Sequence, residues 1–197
     1  MAKIKSTKRI TKREVIKEEA SRLFHDRGYG AASMRDLAEI LGVEAPSLYN
    51  HIKSKEELLQ EICFSTANEF SFQMGLVEPN EKLTALQKIE AITRFHIHIW
   101  VDKLNDVLVM TNEAKHLSEP YLSTFLNERR LYVKRFETIV NEGVKKGQIK
   151  KLDGYVVVLA ILNAVRGIEF WHRSQKNINA SELEENMVTA LLNGLKK

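Results

Sequence analysis

Residues 44–51, EAPSLYNH, carry the side chains whose types and spacing best suit a binding surface. The phenol of Tyr49 and the imidazole of His51 can both donate hydrogen bonds to phosphate oxygens. Only Leu48 and Ile52 are spaced to form a buried stripe along this stretch. A helix this short, with so little apolar surface to bury, is expected to act through the side chains on its exposed face.

Other reactive side chains lack the arrangement that catalysis or metal binding requires. His96 and His98 are two residues apart, and such positions on a helix point to different faces, so the pair cannot share a metal ion. His98 and Asp102 are better spaced, but two ligands are too few. Cys63 is the only cysteine, which excludes an intramolecular disulfide and a thiolate cluster. An enzyme is the rival class, but no nucleophile with a base and no carboxylate pair is brought together, so we expect no enzyme, cofactor or metal site.

The composition is that of an ordinary globular chain with unevenly distributed charge. Of the 197 residues, 44% are hydrophobic and 28% are charged. We find no apolar run of membrane-spanning length and no secretory segment after Met1, so we expect a cytoplasmic protein without membrane contact. The formal net charge of +4 is concentrated at the N-terminus, before the first acid. The basic arm expected to follow phosphates consists of Lys3, Lys5, Lys8, Arg9, Lys12 and Arg13.

Capping signals and apolar periodicity predict an all-α chain of about nine helices. A serine or threonine followed three residues later by an acid marks a helix start, because hydroxyl and carboxylate each accept from an unpaired backbone N–H. Four pairs qualify: Thr11 with Glu14, Ser33 with Asp36, Ser54 with Glu57, and Ser181 with Glu184. Pro120 suits the first turn of a long helix over residues 121–146. An apolar helix over 155–171 and a final helix over 182–195 complete the chain.

Residues 33–52 are predicted to form a helix, a tight turn and a second helix. Gly42 supplies the positive φ that the turn needs. Five apolar residues are spaced to pack the two helices together: Leu37, Ala38, Val43, Leu48 and Ile52. In this arrangement the second helix enters the DNA major groove with its N-terminal residues near base edges. The exposed side chains of residues 44–51 would then face DNA, which explains why so short a helix buries so little.

The stretch SMRDLAEILGVEAPSLYNHIKSKEELL, after a helix that ends LFHDRGYGAAS, resembles the DNA-binding domain of the tetracycline-repressor (TetR) family of bacterial regulators. The resemblance covers residues 11 to about 60, and the run from Leu48 to Leu58 is its most specific part. It implies a homodimer of all-α subunits. Each subunit would have an N-terminal three-helix DNA-binding domain, residues 1–55, and a larger effector-binding and dimerisation domain, residues 56–197. It also implies a repressor that a small effector releases from DNA.

Carried onto this sequence, the resemblance implies two sets of DNA-binding residues. The phosphate contacts are Ser33, Ser47, Tyr49, His51 and Lys55, and the residues nearest the bases are Ala45, Pro46 and Asn50. Ser33 caps a helix N-terminus, where unpaired N–H groups attract phosphate, and Asn50 can pair with adenine. The second helix contains no arginine, the strongest guanine reader, and Arg35 on the preceding helix is the nearest substitute. Two copies would read a palindromic operator of double-stranded DNA, with half-sites about one duplex turn apart.

The C-terminal part offers aromatic residues and a few isolated polar groups, as a ligand cavity requires. The candidate effector-binding residues are Phe95, Trp100, Met110, Asn163, Arg166 and Phe170. Asn163 and Arg166 interrupt an otherwise apolar helix, and a buried arginine must find an anion. That anion could be a carboxylate or phosphate of the effector, or an acid across a dimer interface.

The last two long helices would expose too much apolar surface in a monomer. Two copies could bury this surface by forming a four-helix bundle. The candidate dimerisation residues are Val158, Ile161, Leu162, Leu183, Met187 and Leu191. We therefore expect the chain to form a homodimer.

Residues 169–195, EFWHRSQKNINASELEENMVTALLNGL, are similar to the C-terminal ends of family members that govern fatty-acid and steroid breakdown and sense acyl-CoA thioesters. They lack the proline and glycine that those members often have after the tryptophan. The similarity implies an acyl-CoA or other lipid-like effector, whose phosphates could meet Lys145, Lys146, Lys150 and Lys151. Two alternatives stay open: a regulator of an exporter that senses varied lipophilic compounds, and a constitutive DNA-binding regulator without an effector.

Overall fold

The computed structural model describes residues 11–174 and 177–196, and within them all regular structure is helical. Those residues form α1 (Lys12–Arg27), α2 (Met34–Leu41), α3 (Ala45–Leu48), α4 (Lys55–Val77), α5 (Ala85–Asp102), α6 (Leu104–Asn112), α7 (Tyr121–Lys145), α8 (Gly154–Arg166), α9 (Ile168–Arg173) and α10 (Ala180–Asn193). A 3-10 turn, Ala114–His116, follows α6. Since α8 and α9 form one 20-residue helical stretch, the predicted all-α fold of about nine helices is confirmed. Lys3, Lys5, Lys8 and Arg9 of the predicted basic arm lie outside the described residues.

Three of the four predicted helix starts are confirmed by their capping hydrogen bonds. Thr11 and Ser33 each accept from the backbone N–H three residues later, and the acid at that position accepts from the cap in return. The side chain of Ser54 accepts from the backbone N–H of Glu57. These bonds join residues only three apart, which is why the spacing in the sequence could predict them.

The fourth predicted helix start, Ser181 with Glu184, is wrong. The side-chain oxygen of Asn179 accepts from the backbone N–H of Glu182, so α10 begins two residues earlier and Ser181 lies inside it. Asparagine is as good an N-cap as serine, and the earlier cap determines where the helix starts. The carboxylate of Glu184 instead lies 2.7 Å from Nε2 of His98 on α5, which ties α10 to α5.

The helices surround two apolar cores that share α4. We call α1, α2, α3 and the start of α4 the head. The first core lies between these helices, and it also includes Val109 of α6 and Phe125 of α7. The second core lies between the rest of α4 and α5 to α10. Leu59 of α4 is buried in the first core and Met74 of the same helix in the second. The domain division predicted between residues 55 and 56 thus falls at the first residue of a helix that holds both cores together.

The turn between α2 and α3 has the predicted geometry. Gly42 adopts the left-handed conformation with φ of 65°, and its N–H donates to the carbonyl of Ala38. Leu48 and Ile52 are almost completely buried in the head, as predicted. The predicted packing role of Val43 is wrong, since 42% of this residue is exposed. Val43 lies in the turn itself and therefore on the inward face of neither helix.

α8 and α9 together form a described stretch that is long and apolar enough to cross a membrane, judged by length and composition alone. The expectation that no apolar run reaches spanning length is therefore wrong. Core helices of globular proteins pass the same test, and about a third of the most apolar window is buried inside the subunit. A single such helix is weak evidence for a membrane.

Candidate nucleic-acid interface and interior cavity

α3 presents a short exposed surface that two buried side chains anchor from below. The regular helix has four residues, and the backbone N–H groups of His51 and Ile52 continue the turn by donating to the carbonyl of Leu48 at 2.9 and 3.0 Å. Leu48 and Ile52 point into the core of the head. These two anchors fix the position of the segment while its other side chains stay outside.

The residues of this segment that the sequence predicts to face DNA lie on the surface of the molecule. Pro46, Ser47, Tyr49, Asn50 and His51 are exposed, and Ala45 is half-buried. Tyr49 keeps 53% of its surface accessible despite its large ring. Arg35 on α2 is exposed as well. The segment is therefore accessible to a duplex, and the contact of each residue with DNA stays a prediction.

Ser33 is held in a capping box at the start of α2. Its hydroxyl accepts from the backbone N–H of Asp36 at 3.1 Å and donates to the Asp36 carboxylate at 2.5 Å. The hydrogen bonds from Ser33, with a smaller effect of Arg27, lower the pKa of Asp36. A phosphate at this helix end would meet a carboxylate already bound there, so phosphate contact by Ser33 stays a prediction.

Lys55, predicted to contact phosphate, is tied to the loop between α1 and α2. Its ammonium donates to the backbone carbonyls of Tyr29 at 2.8 Å and Ala32 at 2.7 Å, and it lies 4.3 Å from the centre of the Tyr29 ring. An ammonium has three N–H donors, so one is left for a phosphate. Lys55 thus holds the loop that leads into α2, and its phosphate contact stays a prediction.

Arg13 braces the end of the segment that follows α3, a role that sequence spacing did not indicate. Its guanidinium donates to the backbone carbonyl of His51 at 2.8 Å and to the carboxylates of Glu57 at 2.8 Å and Glu61 at 2.6 Å. The hydrogen bond from Arg13, together with one from the backbone of Lys53, lowers the pKa of Glu57. The expectation that Arg13 belongs to a phosphate-following arm is corrected, because its donors join α1 to α4 and to the end of the segment 44–52.

A cavity of about 520 Å³ lies among α4, α5, α6, α7 and α8. Four predicted effector-binding residues line it, namely Trp100, Met110, Asn163 and Arg166. The other two do not. The ring of Phe95 packs edge-on against Phe70 with centroids 5.7 Å apart, and Phe170 is 70% exposed on α9. The position of an apolar residue in the sequence does not show whether its side chain lies in a cavity wall, in the core or on an outer surface. This explains both wrong predictions.

Three arginines lie at the cavity, and the sequence analysis missed two of them. Arg129 and Arg130 of α7 and Arg166 of α8 line it together with one acid, Glu128. All three arginines are exposed, so they mark its open side. Arg166 donates to the side-chain oxygen of Asn112 at 3.2 Å. The prediction that Arg166 is buried is wrong, because the C-terminal end of α8 reaches the surface here.

The cavity wall also contains a hydrogen-bonded pair that sequence spacing does not reveal. Nε2 of His96 and the hydroxyl oxygen of Tyr132 are 2.7 Å apart. His96 is buried, and burial lowers its pKa to about 3. Burial likewise raises the pKa of Tyr132. The two residues are 36 positions apart, and the sequence analysis treated His96 only as a possible metal ligand.

α6 connects the cavity with the head. Met110 and Thr111 line the cavity, whereas Val109 beside them is buried in the first core. Directly after α6, Glu113 accepts a hydrogen bond from the backbone N–H of Tyr29 at 3.1 Å. Tyr29 lies in the loop that precedes α2. α6 therefore joins the cavity to the loop that leads into α2.

The predicted dimerisation residues do not share one outer face. Leu183, Met187 and Leu191 are half-buried on α10, and Leu162 lines the cavity. Val158 and Ile161 are buried in the subunit's own core, so the prediction is corrected for these two. Four apolar side chains of α8 and α9 are exposed: Tyr155 and Leu159 border the cavity, and Val156 and Phe170 do not.

Two family models match the chain. Residues 16–62 match the family described as bacterial regulatory proteins, tetR family. Residues 82–195 match the tetracyclin repressor-like C-terminal domain. The two models together cover most of the chain, including α3 and, apart from the second half of α4, the helices around the cavity.

Individual relatives match over nearly their whole length. The HTH-type transcriptional repressor KstR2 of Mycolicibacterium smegmatis is 28% identical, over 94% of this chain and 91% of the relative. The ketosteroid transcriptional regulator KstR2 of Mycobacterium tuberculosis superposes with a TM-score of 0.86 at 22% identity, covering 95% of this chain and 96% of that one. AibR, in complex with isovaleryl coenzyme A and operator DNA, superposes with a TM-score of 0.77 at 24% identity, covering 91% and 97%. At these identities the structural likeness shows a shared fold.

Proposed function

Because the chain belongs to the tetR family of bacterial regulatory proteins, we propose that it is a dimeric transcriptional repressor that leaves its operator when an acyl-CoA thioester binds. Members of the family are DNA-binding transcription regulators rather than enzymes. The observation that carries the proposal is an interior cavity with arginines at its open side, joined by α6 to the head that holds α3.

The cavity suits a ligand with an apolar body and an anionic end. Its walls are largely aromatic and aliphatic, among them Trp100 and Met110, and its open side carries Arg129, Arg130 and Arg166. An acyl-CoA thioester combines an apolar acyl group with several phosphates, and arginine binds phosphate through paired hydrogen bonds. The likeness to AibR, which was crystallised with isovaleryl coenzyme A, supports the same class of effector.

Two other functions agree less well with the cavity. A sensor of varied lipophilic compounds is expected to have a purely apolar cavity, whereas arginines border this one. A constitutive regulator is expected to have a solid C-terminal core, not a cavity of about 520 Å³. The four lysines predicted to meet CoA phosphates are not among the residues that line the cavity, so we assign that role to the arginines.

We expect a second copy of the chain to cover the outward face of α8. Val156 exposes apolar surface there, and together with Leu152 and Leu191 it lines a groove between α8 and α10. Two copies packed through α8 and α10 would form a four-helix bundle. Such a bundle buries the apolar stretch Gly154–Arg173 without a membrane, in keeping with a cytoplasmic regulator.

The effector would act by favouring one of two arrangements of the dimer. A ligand shifts such an equilibrium only by the difference in its affinity for the two forms. Met110 and Thr111 of α6 would meet the ligand in the cavity, and the Glu113 contact with Tyr29 would transmit the change to the head. The two copies of α3 would then no longer match half-sites about one duplex turn apart.

The proposal is tested by selecting an operator from random duplexes with the purified full-length protein and titrating the complex with octanoyl-CoA. We expect octanoyl-CoA to release DNA, measured by fluorescence anisotropy, and coenzyme A or octanoate alone to release little. The double variant Arg129→Ala/Arg130→Ala should need about 10-fold more octanoyl-CoA, because two phosphate partners are lost.

Lys145→Ala/Lys146→Ala is the matched control, since it removes two cations of the same helix away from the cavity, and it should respond like the wild type. Release by octanoate as effective as release by octanoyl-CoA would favour the sensor of lipophilic compounds. No release by any of these probes would favour the constitutive regulator.

A further inference from the structure

His96 and Tyr132 form a polar pair in the largely apolar wall of the cavity. Their hydrogen bond is 2.7 Å long, and both residues line the cavity. The ring of Phe70 packs beside both, with centroid distances of 4.5 Å to His96 and 6.2 Å to Tyr132. Only 6% of His96 is exposed. The pair is therefore largely removed from bulk water while it borders the space that a ligand would fill.

A count of hydrogens leaves one donor of this pair unused. A neutral imidazole has one N–H and a phenol one O–H, and the bond between them uses one of these two donors whichever tautomer is present. The remaining donor is Nδ1–H of His96 in one tautomer and the O–H of Tyr132 in the other. Within the parts of the chain that the structure describes, no group accepts from it. This donor has no acceptor in the protein and borders the cavity, so an acceptor atom on a ligand would form a hydrogen bond with it that an apolar ligand could not.

The pair is neutral, which restricts the kind of atom that it suits. Burial lowers the pKa of His96 to about 3 and raises the pKa of Tyr132. A carboxylate beside it would bring an uncompensated charge into an apolar wall, whereas a ketone or hydroxyl oxygen would not. Two other polar residues of the wall, Thr111 and Asn163, already donate to backbone carbonyls one helical turn earlier.

We infer that His96 and Tyr132 form a subsite that binds an uncharged oxygen, a ketone or a hydroxyl, on the acyl group of the effector. The inference rests on the proposed acyl-CoA effector. The subsite would favour an oxygenated acyl chain over a plain chain of the same length, because only the former gives the unused donor an acceptor. The protein would then respond to thioesters whose acyl group has already been oxidised or hydrated.

Isothermal titration calorimetry of the full-length protein with octanoyl-CoA and with its 3-oxo, 5-oxo and 7-oxo counterparts tests the inference. The four probes share coenzyme A and chain length, so the ratio of their dissociation constants reports the added oxygen. We expect at least one oxo thioester to bind about 10-fold more tightly than octanoyl-CoA. This comparison uses the wild-type protein and does not depend on the folding of a variant.

The double variant His96→Leu/Tyr132→Phe should lose the preference for the oxo thioester. It should still bind octanoyl-CoA within about 3-fold of the wild type, since replacing both partners by apolar groups of similar shape is nearly neutral. Tyr121→Phe is the control, because it removes a hydroxyl from the exposed start of α7, outside the residues that line the cavity, and it should keep the preference. Equal binding of all four probes, or a preference retained in the double variant, would overturn the inference and leave the acyl-CoA effector in place. Failure of all four to bind would overturn the effector class and this inference with it.

Discussion

The carboxylate of Glu113 accepts a hydrogen bond from the backbone N–H of Tyr29 at 3.1 Å, across 84 residues of sequence. The ring of Tyr29 also lies beside His116, with centroids 5.4 Å apart, and beneath the ammonium of Lys55. These contacts join the end of α6, whose Met110 lines the cavity, to the loop between α1 and α2. The hydrogen bond therefore links the helix that borders the cavity directly to the head.

Glu113→Ala should weaken communication between the cavity and the head while leaving both binding reactions intact. We expect the factor by which saturating octanoyl-CoA lowers operator affinity to fall about 5-fold, because one coupling hydrogen bond worth about 1 kcal/mol is lost. Operator affinity with and without octanoyl-CoA measures this factor. Glu113→Gln keeps an oxygen that can accept from Tyr29 and should behave like the wild type. An unchanged factor in Glu113→Ala would exclude this bond from the coupling.

Arg13→Ala should weaken binding to every duplex because the brace beneath His51 is lost. We expect the free energy of unfolding to fall by about 1 kcal/mol, since the lost contacts are partly exposed. The slope of log affinity against log salt should not change, because Arg13 contacts protein rather than phosphate. Denaturant unfolding and affinities at two salt concentrations measure both quantities. Lys12→Ala, at the exposed neighbouring position, is the control and should leave the free energy of unfolding unchanged. A shallower salt slope for Arg13→Ala would contradict the bracing role of Arg13.

Tyr49→Phe and Asn50→Ala should affect DNA binding in different ways. Removing the phenol costs one hydrogen bond from a neutral donor to phosphate, so affinity should fall about 3- to 10-fold for all sequences alike. Removing the amide should reduce discrimination at one A·T pair by about 1 to 3 kcal/mol. Affinities for a panel of operators, each with one base pair changed, separate the two effects. An equal loss for every duplex in Asn50→Ala would exclude that residue from base reading.

Lowering the pH should reduce the free energy of unfolding, because His96 is protonated more readily in the unfolded chain than in the folded one. Burial lowers the pKa of His96 to about 3 in the folded state, whereas an unfolded histidine titrates near 6.5. As the pH falls from about 6.5 towards 3, the unfolded chain binds a proton that the folded chain does not, so unfolding becomes easier by about 2 kcal/mol at pH 5. Urea unfolding at pH 7 and pH 5 measures the change. Glutamine does not titrate, so the difference in unfolding free energy between pH 7 and pH 5 should be smaller by this amount in His96→Gln. An identical difference in the variant and the wild type would show that His96 does not cause the pH dependence.

Ser21→Ala should stabilise the head. Among the described residues, the hydroxyl of Ser21 is the one buried side-chain polar atom without a hydrogen-bond partner. Replacing it removes an unpaired buried group and introduces a better helix former in α1, for a gain of about 1 kcal/mol in unfolding free energy. Ser65→Ala is the control, because the hydroxyl of Ser65 donates to the carbonyl of Ile62 and its loss offsets any gain. A destabilised Ser21→Ala would show that the hydroxyl has a partner after all.

The sequence alone predicted most of the helix starts and the position of the segment 44–52, because their signals are local. A capping hydroxyl and its acid are three residues apart, as at Ser33 and Asp36, and the turn depends on the φ of Gly42. Leu48 and Ile52 are one helical turn apart, and they show which side of the segment is buried. The backbone itself keeps such neighbours together, so their interaction does not depend on distant parts of the chain.

Only the tertiary structure decided which distant groups meet and which way an apolar helix faces. Arg13 reaches His51 across 38 residues and His96 reaches Tyr132 across 36, distances at which sequence spacing carries no information about contact. α8 is apolar nearly all round, so its periodicity did not reveal that Val158 faces inward and Val156 outward. The physical reason is common to both cases. These positions are determined by the packing of whole helices, which depends on many weak apolar contacts. The residues next to a position in the sequence do not reveal the outcome of that packing.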